Sequence, residues 1–305
     1  MEIQNRLSVS ELLLLNILLY FSEMNGLCFE REDRDGIFRA IQNNPLLTSI
    51  QLISVTSIPD EGAVCAAFLS RGSDSREGGT WKELIVAFRG TSEGEWLDNF
   101  IGGAETEAPD RVSTKQQMRA LNWYRTLPIS ECYVTVTGHS KGGNKAKYIA
   151  IREDSVDRCV SFNGQGFSEE FVFRYKERII MRQGIVENHN TEYDYVNWLL
   201  HDFGKTYFYK NQMPGKGFLA GHCPNAILQI DESGHCLMEC VGYEQPDKIR
   251  KLDRTLNFLL HALPERYKIE LMEWIGTCVQ MAMDEKILIK EIFKEISQIF
   301  QTLKR

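Results

Sequence analysis

The apolar positions change period several times along the first half of the chain. The runs "AVCAAFLS" (Ala63 to Ser70) and "ELIVAFRGT" (Glu83 to Thr91) read as two strands joined by the polar Gly/Ser turn from Gly72 to Gly79. In "TKQQMRALNWYRTL" (Thr114 to Leu127), Met118, Leu121, Tyr124 and Leu127 recur at helical spacing and predict a helix. A strand of β-branched residues, Val134 to Thr137, then runs through a glycine turn into a helix, and "RCVSFNG" (Arg158 to Gly164) returns as a strand. Strand, helix, strand, turn, helix, strand requires crossover connections, so the pattern predicts an α/β fold with a mostly parallel central sheet flanked by helices.

Near the start, "ELLLLNILLYF" (Glu11 to Phe21) is only half as long as the roughly 20 residues of a membrane span. Ser8 and Glu11 have the spacing of a capping box, and "SEMNG" offers no small-x-small cleavage site, so the segment reads as an amphipathic helix in preference to a targeting sequence. Beyond Ser168 the pattern gives a helix to about Lys176, a strand-like "RIIMRQG" (Arg178 to Gly184), and "NTEYDYVNWLLHDFG" (Asn190 to Gly204), which sets Asp194 and His201 on one apparent helix. "NAILQI" and "HCLMEC" flank the turn "DESG" as a hairpin. Residues 1–245 are expected to form the α/β domain, with a helical segment 1–45 packed on it, and residues 246–305 a helical extension. In that extension Ile289, Ile292, Phe293, Ile296, Ile299, Phe300 and Leu303 form a stripe suited to packing on the body or to a homodimer seam.

Composition changes this picture little. The 305 residues are 43% hydrophobic and 25% charged, as in soluble globular proteins. A net charge of -7 leaves no basic field for a phosphate backbone, which argues against nucleic acid as a partner. The eight cysteines are scattered through apparent strands and helices and read as unpaired thiols in a reducing compartment, hence a cytoplasmic protein without a transmembrane segment.

The chemistry centres on "GHSKGG". Gly138-x-Ser140-x-Gly142 follows a strand and opens a helix, the context of a nucleophile elbow, in which the flanking glycines let strand and helix approach. The turn would set the Lys141 amide at a helix N-terminus, where it can donate to an oxyanion. Neither Walker spacing nor a Gly-x-Gly-x-x-Gly occurs, since Glu169 takes the third glycine's place in "NGQGFSEE". A nucleophilic serine needs a histidine base and an orienting carboxylate, following it in the order acid, then histidine. His139 is adjacent but would point away and reads as packing. Of His189, His201, His222, His235 and His261, those in loops, His222 and His235, are the contenders; Asp194 competes with Glu192, Asp202 and Asp231 for the acid.

"IVAFRGTSEGEWLDNF" (Ile85 to Phe100) resembles the Phe-Arg-Gly-Ser/Thr block of class 3 (fungal-type) lipases, and "VTVTGHSKGG" resembles their serine elbow. The lysine after the serine and "VSFNGQGF" are closer to a bacterial branch of lipase-like α/β-hydrolases. The resemblance spans roughly Leu7 to Val241 and implies an α/β-hydrolase fold with Ser140 as nucleophile, Asp194 in "YDYV" as acid, His222 as base, and Thr91 with the Lys141 amide as oxyanion donors. In such lipases the segment after the Trp forms a lid, so Phe100 to Gly103, within 99–110, reads as a lid or as an ordinary surface loop. Fungal-type enzymes follow the elbow strand with Gly-x-Pro-Arg, whereas this chain has "NGQGF", so the floor of the site is expected to differ. The Lys141 side chain is either a solvated helix-start residue or a partner for an acidic substrate group.

The expected activity is hydrolysis of carboxylic esters, of a small molecule or a lipid, with no metal or organic cofactor. Acyl transfer or thioester cleavage would use the same residues. A zinc module built from His222, Cys223, His235, Cys236 and Cys240, or a binding protein that keeps the fold, are the rivals from other classes.

Overall fold

The computed structural model describes residues 6–20, 31–58, 63–73, 80–90, 110–192, 194, 196, 200–213 and 219–244. The expectations for Thr91, for all but residue 110 of the lid segment 99–110, for His261 and for the extension 246–305 lie outside these residues.

Three helices come first, α1 (Val9–Leu18), α2 (Arg31–Gln42) and α3 (Pro45–Ser49), then three strands, β1 (Gln51–Ile58), β2 (Ala63–Ser73) and β3 (Thr80–Phe88). They lead to α4 (Lys115–Tyr124), β4 (Tyr133–His139), α5 (Lys141–Arg152), β5 (Arg158–Phe162), α6 (Glu169–Arg174), α7 (Lys176–Arg182), β6 (Val186–Thr191) and β7 (Lys205–Tyr209). Short strands β8 (Gln229–Ile230), β9 (Cys236–Leu237) and β10 (Cys240–Gly242) follow. Eight strands form one sheet in the order β1-β2-β3-β4-β5-β6-β7-β10, parallel from β3 to β7 and antiparallel at both ends. This is the mostly parallel, helix-flanked α/β sheet that the pattern predicts.

Each parallel step moves one strand in the same direction, so right-handed crossovers put the connecting helices on one face. There Leu84, Val86, Phe88, Val134, Val136 and Cys159 pack with Leu121 and Tyr124 of α4 and Ile149 of α5. The alternate residues Ile85, Ala87, Val160 and Phe162 turn to the other face and meet Leu12, Leu13 and Ile17 of α1. Because Leu12 to Ile17 are all buried, α1 behaves as a core helix, and Ser8 and Glu11 close its start as the expected capping box.

The α1 side of β4 is polar. Asn16 in the last turn of α1 donates to Thr137 Oγ1 at 2.8 Å, and Thr137 Oγ1 donates to the Val160 carbonyl at 2.8 Å. Thr135 Oγ1 donates at 2.6 Å to the buried Glu83 carboxylate, whose other oxygen accepts the Leu7 amide at 3.2 Å. The buried Thr137, Thr135 and Glu83 side chains under the helix thus each find a partner, as burial demands.

Several elements differ from the sequence expectations. Strand β1 lies in a stretch for which the sequence pattern predicts no element. "RIIMRQG" is helical: α7 buries Ile179 and leaves Ile180 and Met181 exposed. Helical spacing puts Arg178 and Arg182 on one side, from which they donate to the Ile151 and Ala150 carbonyls at the end of α5, both at 2.9 Å. The strand is instead "VENHNT" (β6), in which buried Asn188 donates to the Phe203 carbonyl at 2.8 Å and buried His189 Nδ1 meets Tyr209 at 2.8 Å. His201 shares no helix with Asp194; it forms an antiparallel bridge with Phe167. The arms of the "DESG" hairpin are two residues each, and Cys240–Gly242 leaves it to pair with β7. Cys132, Cys159, Cys236 and Cys240 are free thiols and Cys65 is in no disulfide, but Cys223 is disulfide-bonded, which corrects the reading of all eight as unpaired and removes that argument for a reducing compartment. Among the described residues no helix is long and apolar enough to cross a membrane.

Candidate active site

Strand β4 ends one residue before Ser140, which caps α5 with φ 58° and ψ -126°. An L-residue with positive φ and this ψ is strained and must be held by its surroundings. The Ser140 amide donates to the Phe162 carbonyl at 3.0 Å, and its own carbonyl accepts from Asn144 at 3.3 Å and Gln165 at 3.4 Å. The glycines are steric requirements: a Cβ on Gly138 would come within 2.2 Å of Gly142 backbone, and one on Gly142 within 1.9 Å of the Phe88 carbonyl oxygen. Asn144 locks the start of α5, accepting from Gln117 Nε2 at 2.7 Å and donating to the Gly166 carbonyl at 2.7 Å.

His222 ends the 3-10 turn Leu219–His222. Its Nε2 lies 2.8 Å from Ser140 Oγ, and its Nδ1 lies 2.8 Å from Asp194 Oδ1. A carboxylate accepts, so Nδ1 carries the proton and Nε2 is left to accept from the serine hydroxyl. Asp194 follows β6 in a turn, with its amide donating to the Thr191 carbonyl at 3.2 Å. It is fully buried, Oδ1 also accepts the Val196 amide at 3.2 Å, and Oδ2 has no hydrogen-bond partner among the described residues. The His222 side chain is 14% exposed, which leaves solvent a path to the imidazole.

The structure therefore brings together Ser140, His222 and Asp194 of the residues singled out from sequence. Lys141 is the first residue of α5, so its amide lies at the helix N-terminus as expected; its side chain is fully buried, which corrects the reading of a solvated one. Lys145 and Lys147 are buried on the same helix, and Lys147 Nζ meets Asp202 at 2.7 Å, which occupies that rival acid. Gly90, next to Thr91, packs on the nucleophile turn: a Cβ there would lie 3.0 Å from Ser140 Cβ. The remaining rivals are elsewhere: Glu192 accepts the Asn211 amide at 3.4 Å, Asp231 shapes its own turn, His235 is exposed, and His189 faces Tyr209 and Glu187. Among the described residues no group of three or more His, Cys, Asp or Glu is placed to hold a metal.

Three residues at the site carry no catalytic pattern in the sequence. His139 is buried and its Nε2 lies 2.7 Å from the His222 carbonyl, which also accepts from Asn163 Nδ2 at 3.3 Å. Asn163, with φ 45°, also clamps β6 by accepting the Thr191 amide at 2.7 Å. That gives "NGQGF" a physical role in tying the end of β5 to the acid and base segments. Tyr20, past the end of α1, meets His139 Nδ1 at 2.7 Å. Burial, assisted by the charge His222 can carry, pushes His139 well below the ordinary 6.5 despite its bond to that carbonyl, so its imidazole is neutral. The "GHS" triplet was the only signal for His139; nothing local marks Tyr20.

A family model described as Mbeg1-like matches residues 78–196, a span that contains Ser140 and Asp194 and stops before His222. Among solved structures, an acetyl xylan esterase from Paenibacillus sp. R4 is similar at 11% identity, covering 57% of this chain and 83% of that one with a TM-score of 0.21, a likeness too distant to bear on the site. No curated protein matches the chain.

Proposed function

We propose that this protein is a serine hydrolase of the lipase/esterase type, cleaving carboxylic esters through Ser140, His222 and Asp194. The observation that carries the reading is the pair of 2.8 Å hydrogen bonds in series, Asp194 to His222 and His222 to Ser140, ending on a serine held at positive φ at the C-terminal end of a parallel strand. A neutral imidazole with its proton on Nδ1 is the form that can take the serine proton as Oγ attacks an ester carbonyl. Asp194 then faces the imidazolium through an already formed bond, and its burial keeps that bond strong. The Lys141 amide, with Thr91, is the proposed donor set for the oxyanion. His222 next protonates the leaving alcohol, and water attacking the acyl-enzyme by the reverse route releases the acid.

The Mbeg1-like match over the serine and acid segments, and the "FRGT" and "GHSKGG" resemblance to class 3 lipases, support the lipase-like class. The test is a series of p-nitrophenyl esters from acetate to palmitate. Turnover by the wild type and its loss by about 1,000-fold or more in Ser140→Ala is expected; equal rates for the two proteins refute the proposal.

A further inference from the structure

His139 stands beside the proposed nucleophile, yet both of its ring nitrogens are committed away from it. Nε2 faces the His222 carbonyl at 2.7 Å, and a carbonyl only accepts, so Nε2 carries the proton. In a neutral ring Nδ1 must then accept, and the Tyr20 hydroxyl 2.7 Å away donates to it. The oxygen of that hydroxyl accepts the Gly90 amide at 2.9 Å. One directional chain therefore runs from the Gly90 N–H through Tyr20 and His139 to the main chain of His222.

The two ends of this chain flank the nucleophile. At one end Gly90 is wedged between Tyr20 and Ser140: a Cβ on it would lie 2.4 Å from the tyrosine oxygen and 3.0 Å from Ser140 Cβ. At the other end His222 closes a 3-10 turn, a form held less firmly by its own hydrogen bonds than an α-helix, and its carbonyl takes outside donors from His139 and Asn163. The Tyr20 and His139 rings meet edge to face, with centroids 5.5 Å apart.

We infer that His139 and Tyr20 are positioning residues, a relay through which the end of the N-terminal helix fixes the main chain of the base His222 and ties it to Gly90 beside the nucleophile. This rests on the hydrolase reading for its kinetic consequences but not for its geometry. The relay holds the Nε2 to Oγ approach at its working distance, and a displacement of about 1 Å there costs on the order of 100-fold in rate.

The test uses the full chain with His139→Phe, His139→Gln, Tyr20→Phe, the double Tyr20→Phe/His139→Phe, and Asn16→Leu as a control. Asn16 bonds Thr137 under the same helix without touching the relay. His139→Phe is expected to lower kcat about 10- to 100-fold with KM within about 2-fold. His139→Gln, whose amide reaches the same carbonyl, should restore most of the loss. Tyr20→Phe removes a single hydroxyl, lowers kcat less, and carries the test if His139→Phe fails to fold. The double variant should be no worse than His139→Phe, because the two residues act in one chain. Asn16→Leu should lower Tm and leave kcat unchanged. Wild-type kcat in both folded relay variants, no rescue by glutamine, or an equal kcat loss in Asn16→Leu would each overturn the inference.

A second readout separates this outcome from failure of the hydrolase reading. The downfield proton resonance of His222 Nδ1–H, assigned by its loss in His222→Ala, is expected to broaden or shift in His139→Phe and Tyr20→Phe and to persist in Asn16→Leu. If the protein hydrolyses no ester, that signal decides alone: no change in either relay variant refutes the relay.

Discussion

Ser140 is held at φ 58° by three backbone hydrogen bonds while glycines on both sides make room for it, so the turn tolerates little change. Gly142→Ala would drive a Cβ to 1.9 Å from the Phe88 carbonyl, a contact with backbone that cannot yield. Urea unfolding should show a loss of about 3 kcal/mol or more, and wild-type stability in this variant would contradict the packing described. Asp194→Asn tests the carboxylate. The amide can present a donor to His222 Nδ1 and favour the wrong tautomer, so kcat for ester hydrolysis should fall about 1,000- to 10,000-fold with little change in KM. A fall below 10-fold would remove Asp194 from the proposed role. Ser140 was legible in sequence because strand, glycines and helix all surround it locally. Asp194 and His222 needed the family resemblance, since spacing alone left Asp202, Glu192 and His235 open. Tyr20 and His139 bond across 119 positions of sequence, a pairing no local pattern encodes.

At the scale of elements, β4 shows why the central sheet could be read and the later segments could not. Its β-branched alternation has one meaning, whereas α7 and β6 reverse the expected order. In α7 the apolar residues are mostly exposed and the arginines set the structure, and in β6 burial falls on Asn188, His189 and Asn190. Hydropathy cannot distinguish a polar strand satisfied by side-chain hydrogen bonds from a loop. Glu83, under the start of α1, gives a prediction at this scale. Burial raises its carboxyl above the ordinary 4.5, with Thr135, the Leu7 amide, Arg158 and Arg6 offsetting only part of the effect. A carboxyl with a raised folded pKa favours the folded state while protonated, and that contribution is lost as pH rises through the raised value. The stability of the wild type relative to Glu83→Gln should therefore fall as pH increases from below 4.5 to neutrality. A difference independent of pH would show that Glu83 titrates alike in the folded and unfolded chain.

For the whole molecule, the sheet divides labour between its faces. One face carries the crossover helices, whose core aligns the strand ends; the other carries α1, and just past its end Tyr20 reaches His139, which bonds His222. The strand ends thus gather Ser140 after β4, Asn163 after β5 and Asp194 after β6 at one edge of the parallel sheet, where chemistry in open α/β folds is found. The central claim is that Ser140 at this edge is an activated nucleophile. A fluorophosphonate probe tests it most directly, since Ser140 Oγ would displace fluoride and keep the phosphonyl group. Intact mass spectrometry of wild type, Ser140→Ala and His222→Ala should show one adduct per wild-type chain, mapped to Ser140 by peptide analysis, and none in either variant over the same time. An unlabelled wild type, or equal labelling of Ser140→Ala, would contradict the account.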